Sequence, residues 1–506
     1  MRRLWIVACL VAPSRVGAQL PPIGVPGGVV RLDLDGSLET FDRRFLHGNR
    51  ESYAADLSSP ALGSDRIPSL ADADARVGRI IGNASYRLNL GGLAPDALAD
   101  VGRGSLGLSL GLTDQITIFG SLPLVRTGVQ PTLRLNTASA DAGLNPGVAT
   151  HTAFFGGFDA ALATLSSKLA AGDYDADPAR LALAQATLTS GTAIRADLFG
   201  LLADPATASP AVPISTSSTG AAVLAQITGL QNTLASSLDV PGFTAVPSLP
   251  PDPLGDDGLG QILAGSLQLR AGQSRVTFRG DAEAGAALTL IDRWDPGTRR
   301  GGFRLAVSGL VRFPTGQIEQ TDQPLDIGTG DGQTDIQVDA VADLGAGRFG
   351  VRLGGSYVRQ LASDAFARVT RPSQPFVGPD RLASVRRDPG DLLALEARPF
   401  FRLARTFALQ VGVQHWTRSA DQVSYSTPGD VLPGVDASLL AEESEANATA
   451  LSVGITYANP GRLRPGGTGL PVDATWSYER VLRAGGGLVP DSHAVRGSLR
   501  VYFGLW

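Results

Sequence analysis

The chain runs to 506 residues with a formal net charge of -5, 18% charged residues, 62 glycines and 33 prolines. That balance, with no basic block and no basic stripe interleaved with aromatics, excludes a nucleic-acid partner. A soluble domain of this length would show long amphipathic helices or βαβ alternation; this chain shows short alternating runs separated by Gly, Pro and Asp, the pattern of antiparallel β structure.

Met1-Arg2-Arg3, the apolar run Leu4 to Ala12 and the small-residue pattern Val16-Gly17-Ala18 read as a secretory signal peptide over 1–18. The run is shorter than the roughly 20 residues of a spanning helix, and no later stretch supplies them, so a helical inner-membrane protein is excluded. The one cysteine, Cys9, lies in the segment expected to be removed, leaving the mature chain without an internal disulfide. Lipid attachment at Cys9 is the alternative, and too little apolar sequence precedes it for a signal of the usual length.

In chain order, period-two alternation predicts twelve strands: Val30 to Leu38, Ser105 to Leu112, Ile116 to Leu124, Ala282 to Ile291, Phe303 to Phe313, Ile336 to Leu344, Phe349 to Tyr357, Leu393 to Leu403, Phe407 to His415, Thr449 to Tyr457, Val472 to Tyr478 and Val495 to Leu505. In the second, Leu106, Leu108, Leu110 and Leu112 share one face and Ser and Gly the other. Short links follow strands two, six and eight, and long links follow the odd-numbered strands up to nine. An even count with alternating short and long links predicts an all-β fold, a transmembrane antiparallel β-barrel of about 12 strands with an α-helical extracellular insert.

The face opposite the apolar one carries Asp281 and Glu283 on strand four, Arg304 and Arg312 on five, Asp335, Asp339 and Asp343 on six, and Arg352 on seven. A soluble sandwich core does not tolerate these charges and a water-filled lumen does. They are candidate lumen-lining residues, either a structural ladder of opposite signs on adjacent strands or a selectivity filter. The last residues, Leu499 to Trp506, resemble the terminal signal read by the barrel assembly machinery, although Trp506 is out of phase with Leu499, Val501, Phe503 and Leu505.

The domain reading is a signal peptide over 1–18, N-terminal strands with the first long loop over 19–126, an extracellular helical insert over 127–279, and the remaining strands over 280–506. Within the insert, Phe154, Phe158, Leu162, Leu165 and Leu169 mark one helix face, Asp177-Pro178 opens a second helix through Leu181 and Leu188, and a third runs from Ser218 to Leu238. Three such helices are expected to pack on one another, and the Pro-rich stretch Pro247 to Pro253 to return the chain to the barrel. The first long link, Asp42 to Gly104, holds a predicted helix over Ser69 to Ile81 and an alternating piece over Tyr86 to Leu90.

The run Asp326 to Asp335 has the look of a calcium or phosphate loop but lacks the terminal Glu of an EF-hand and a following helix, so it reads as a tight turn into strand six. The hairpin Gly111-Leu112-Thr113-Asp114, the phrase Gly280-Asp281-Ala282-Glu283, the phrase Arg312-Phe313-Pro314-Thr315-Gly316 and the turn Gly328-Thr329-Gly330, in this order, resemble the outer-membrane transporter barrels associated with the phenol meta-cleavage pathway. The likeness spans strands two to seven in outline, and the helical insert departs from it. It implies passage of small hydrophobic molecules and supplies no catalytic residue.

An enzyme reading centres on Gln414-His415-Trp416-Thr417-Arg418-Ser419, where a rim hydrolase would need Thr417 as nucleophile; an aromatic belt explains His-Trp as well, and no third orienting group is identifiable. His47, His151 and His493 show no metal-ligand spacing, so no cofactor or metal is expected. The function expected is a bacterial outer-membrane pore or transporter for small solutes, its partners being outer-membrane lipids, the assembly machinery and the solute. The alternative is a surface structural or interaction barrel that displays its insert.

Overall fold

The computed structural model describes residues 24–293, 302–404, 406–459 and 471–505, so the expected leader with Cys9 and the terminal Trp506 lie outside the described residues. Twelve strands form the barrel: β1 Val29–Phe41, β2 Gly92–Gly111, β3 Ile116–Asn136, β4 Ala282–Arg293, β5 Gly302–Phe313, β6 Asp335–Ala346, β7 Phe349–Gln360, β8 Leu392–Arg402, β9 Phe407–Arg418, β10 Ala446–Asn459, β11 Val472–Gly486 and β12 His493–Gly504. Each pairs antiparallel with its neighbours in sequence, and β1 pairs with β12 from Val29↔Gly504 to Thr40↔His493, closing the ring. Closure leaves no sheet edge, which a chain surrounded by lipid requires.

Alternation decides which way each side chain faces. Leu106, Leu108, Leu122 and Leu124 are each more than half exposed, while Ser109, Thr117 and Ser121 between them are buried. The same outward apolar row continues through Leu288, Leu290, Val338, Leu353, Leu395, Val411, Val413, Val453 and Leu499. A belt of large apolar side chains around a polar-walled ring is the surface of a transmembrane barrel, and it is of the outer-membrane type.

Two strands run well past the predicted ends. β2 and β3 pair without interruption from Gly111↔Thr117 to Gly92↔Asn136, about 65 Å at roughly 3.3 Å per residue, whereas a spanning strand needs only about 9–11 residues. The helical insert therefore begins after Asn136. Beyond Leu124 the outward positions of β3 are Arg126, Gly128, Gln130, Thr132 and Arg134, and its inward ones, Val125, Val129, Pro131, Leu133 and Leu135, are apolar, with Thr127 the exception. The pair leaves the lipid and becomes a wall for something packed inside it.

What packs there is a helical body: α1 Ala71–Ile81, α2 Thr152–Ala170, α3 Pro178–Leu202, α4 Ser218–Asn232 and α5 Asp256–Ala264. The expected starts are present. Asp177 accepts from the amides of Ala179 and Arg180 ahead of Pro178, and Ser217 caps α4 through the amide of Gly220. The expected mutual packing of the insert helices is present too: Phe155 of α2 is edge-on to Phe199 of α3 at 5.3 Å, and a Cβ on Gly191 of α3 would lie 2.9 Å from Leu162 of α2 and 3.7 Å from Leu230 of α4. One apolar core joins these helices to α1, to Leu325 and Ile327 of the β5–β6 loop, to Phe376 of the β7–β8 loop, and to Val101, Val125 and Val129 on the inner faces of β2 and β3.

Two readings change. The segment after Pro253 does not return directly to the barrel but first forms α5, a Gly-rich helix whose Leu259, Ile262 and Leu263 complete the core. Tyr86 to Leu90 is extended but joins no sheet; Tyr86, Leu88 and Leu90 alternate into the helical core, and the Leu88 amide bonds to Asp74.

Candidate functional site

The eight charged residues read from the sequence all lie on the inner side, and cross-strand register brings most of them together. Arg312 faces Asp335 on β6 and holds its carboxylate at 2.7 Å; its Nε also lies 3.4 Å from Glu283. Glu283 accepts from Ser121 at 3.1 Å and from Arg103 at 3.4 Å. Toward the short-turn end, Asp343 takes both arms of Arg352 at 2.6 Å and lies 3.6 Å from Arg304, which also reaches Asp292 at 3.3 Å. Asp339, between the two groups, accepts from Ser308 and Gln337.

The same inward parity on other strands carries residues that the sequence reading passed over. Asp33 lies between Arg31 and Arg500, Arg398 pairs with Glu396, and Arg496 donates to Glu479 at 3.0 Å. The signal for them was the period-two alternation already used: Glu396 and Arg398 alternate with Leu393 and Leu395. The inner wall is thus ringed by opposite charges in register.

Asp281 stands apart because it is not on a strand. A break at Gly280-Asp281 separates β4 from a short preceding strand, Ser274–Arg279, that continues the pairing with β3 at Leu124↔Arg279. At this break the carboxylate turns inward and accepts from the amides of Gly316 at 2.8 Å and Asp331 at 3.3 Å. Thr315 donates to the Gly280 carbonyl, Thr329 to the Arg279 carbonyl, and Thr127 of β3 to the Ile327 carbonyl, each at 2.8 to 3.0 Å. The β5–β6 loop, Pro314 to Thr334, is therefore folded against the inner wall.

This corrects the reading of Asp326 to Asp335 as only a tight turn. Three phrases distant in sequence, Gly280 to Glu283, Arg312 to Gly316 and Gly328 to Gly330, meet at one knot. The glycines are needed for the approach: a Cβ on Gly316 would lie 2.6 Å from Gly330, and one on Gly330 would lie 2.5 Å from Asp281. Beneath the knot a cavity of about 50 Å³ opens between Val101, Val125, Ile327 and the Asp281–Arg312 group.

The histidines are scattered. His415 faces outward with its Nδ1 3.0 Å from Thr449, not Thr417, while Trp416 turns inward and is buried, so the pair is no aromatic belt. His493 meets the Tyr478 hydroxyl at 2.6 Å, and His151 is wholly buried at the start of α2. Among the described residues no group of three or more His, Cys, Asp or Glu is placed to hold a metal.

No family model matches the chain and no curated protein does. Among solved structures it is similar to an outer membrane channel from Pseudomonas putida F1, with 11% identity over 96% of this chain and 100% of that one at a TM-score of 0.43. It is also similar to the transport unit of the autotransporter AIDA-I from Escherichia coli, with 7% identity, 99% of each chain and a TM-score of 0.32. The Pseudomonas putida toluene transporter TodX matches at 9% identity over 95% of this chain and 90% of that one, with a TM-score of 0.23.

Proposed function

We propose that this protein is an outer-membrane pore for small hydrophobic solutes, with the eight inner-wall charges lining the permeation path and the helical body roofing its outer mouth. The observation that carries the proposal is the change of character along the inner faces of β2 and β3. Toward the short-turn end they present Ser109, Thr117 and Ser121; toward the long-loop end they present Val101, Val125 and Val129, which belong to the core of the helical body. These valines are covered while the helical body and the β5–β6 loop are seated, so a solute meets them only when that packing shifts; a hydrated ion or sugar then gains nothing from the apolar stretch and loses hydration there, whereas an apolar solute is stabilised by about 25 cal/mol per Å² of surface it withdraws from water. The association with phenol breakdown that the sequence phrases imply is consistent with such a solute.

The test is ion conductance in planar bilayers, with the intact chain and with a variant lacking residues 153–238, each shown to be folded by heat-modifiable electrophoretic mobility. Small conductance that rises on removal of the helices supports the proposal. No current from either folded protein would instead favour a barrel that serves only to display its insert.

A further inference from the structure

On the helical body, α5 and the upper inner face of β3 border an open groove of about 590 Å³. Its floor is Leu133, Leu259, Leu263 and Leu269, and its rim is small, with Gly260, Ala264 and Gly272 exposed. The charges at the rim are already satisfied. Arg270 makes a two-armed pair with Asp322 at 2.7 and 2.8 Å, and Asp256 accepts from the Leu135 amide at 2.7 Å. A groove of this size with an apolar floor, its one lining cation paired and its one carboxylate turned to a backbone amide, favours a small neutral molecule over an ion.

The groove does not stand alone. A second cavity of about 20 Å³ shares Leu133, Arg270 and Gln323 with it and is closed by Leu57, Leu325 and Phe376 around Val129 and Pro131. The third, about 50 Å³, lies at Val125 and Pro123 under the β5–β6 loop. In sequence the contributing residues of β3 are Leu133, Pro131, Val129, Val125 and Pro123, all of one parity. With Thr127, which lines none of these cavities and is buried between Val129 and Val125 with its hydroxyl on the Ile327 carbonyl, they form one inner row about 33 Å long, descending from the groove to the Arg312–Glu283 charges. Gln323 sits where groove and second cavity meet, with its side-chain oxygen buried and without a hydrogen-bond partner among the described residues.

We propose that the α5 groove is the receiving site for a small neutral apolar molecule, aromatic or short aliphatic, and that the row down β3 is the path by which it moves toward the charged inner wall. The path rests on the pore reading above; binding in the groove does not. At the second and third cavities, and at Thr127 between them, the path is too narrow for such a molecule, so passage requires the β5–β6 loop from Gln323 to Ile327 to move aside.

The experiment uses the full chain in lipid nanodiscs, titrated with the neutral fluorophore N-phenyl-1-naphthylamine, with toluene as competitor. The variant is Gly260→Trp, since a Cβ at Gly260 meets nothing within 4 Å and the indole fills the groove from an exposed position. The expected result is saturable, toluene-displaceable binding to the parent protein that weakens at least tenfold in Gly260→Trp and likewise in Ala264→Trp, with unaltered heat-modifiable mobility. Undiminished binding in both folded variants overturns the site, and equally tight binding of the anionic sulfonate analogue overturns its neutral specificity. In the same preparations, binding by the parent protein without any toluene flux into vesicles would refute the pore and leave the groove standing, while flux that Gly260→Trp leaves unchanged would refute the groove and leave the pore.

Discussion

Removing the Asp281 carboxylate tests whether the β5–β6 loop is held down by the knot. Asp281→Ala deletes the acceptor for the Gly316 and Asp331 amides, one bond short at 2.8 Å and one long at 3.3 Å. Hydrogen bonds to a charged acceptor contribute about 1.5–3 kcal/mol each; both are placed at the bottom of that range, the long one for its geometry and the short one because the carboxylate is buried beside that of Asp331, which gives about 3 kcal/mol for the pair. That corresponds to a shift on the order of 100-fold in the docking equilibrium. The loop keeps its Thr127 and Thr329 bonds and the buried side chains of Leu325 and Ile327, so it remains docked most of the time but opens far more often. Single-channel recording at fixed voltage should show opening events about 100-fold more frequent in Asp281→Ala, with Asp281→Asn intermediate because one amide oxygen still accepts. Gly330→Ala should act in the same direction by a different cause, the collision of its Cβ with that carboxylate. Traces and protease resistance of the loop identical to those of the parent protein in all three variants would refute the argument.

The remaining predictions concern charge and pH. Asp343→Asn withdraws the charge shared by Arg352 and Arg304 from a site that is almost fully buried, and loss of one partner in such a pair costs about 3–5 kcal/mol. Guanidinium unfolding in detergent should show a loss in that range, while a combined Asp343→Leu, Arg352→Met variant should be much closer to the parent; equal losses in both would contradict a paired role. In the β9–β10 loop, burial pushes the Asp421 carboxyl up, but Arg387 and Arg418 at 2.6 and 2.5 Å outweigh it and hold the carboxyl below its usual range. Its stabilising contribution is present above the unfolded value of about 3.9 and is lost as pH falls through the folded one, so Asp421→Asn should be less stable at pH 6 and converge on the parent only once pH has fallen below the depressed folded value. His151, buried against Phe155 with neither ring nitrogen hydrogen-bonded among the described residues, is held below its usual range by burial. The helical body should therefore lose stability below about pH 6.5, and His151→Phe should remove that sensitivity in limited proteolysis at pH 5 against pH 7; a parent protein equally resistant at both would count against it.

Where the sequence was legible, lipid is the reason. A barrel strand must present apolar side chains outward at every second position, and rows such as Leu106-Leu108 and Val411-Val413 announce themselves and locate all twelve strands. Above the lipid that requirement lapses. The outward row of β3 turns to Arg126, Gly128 and Gln130, so the continuation to Asn136 has no outward signature and reads as loop. The insert helices were legible through Phe154-Phe158-Leu162 spacing and the Asp177 cap, but α5, with Gly258 and Gly260 in nine residues, lacks both length and propensity. Seven of the eight inner charges followed from parity alone, and Asp281 turns inward at the strand break. Their grouping, and the meeting of Asp281, Gly316 and Gly330, depends on a strand break and a loop folding back, neither of which leaves a periodic mark.

The most direct measurement is uptake by proteoliposomes containing the intact protein, with toluene and a sugar of similar mass offered side by side. Saturable entry of toluene well above that into protein-free vesicles, with little entry of the sugar, is the predicted result; equal passage of both, or no protein-dependent entry of toluene, would contradict a hydrophobic-solute pore.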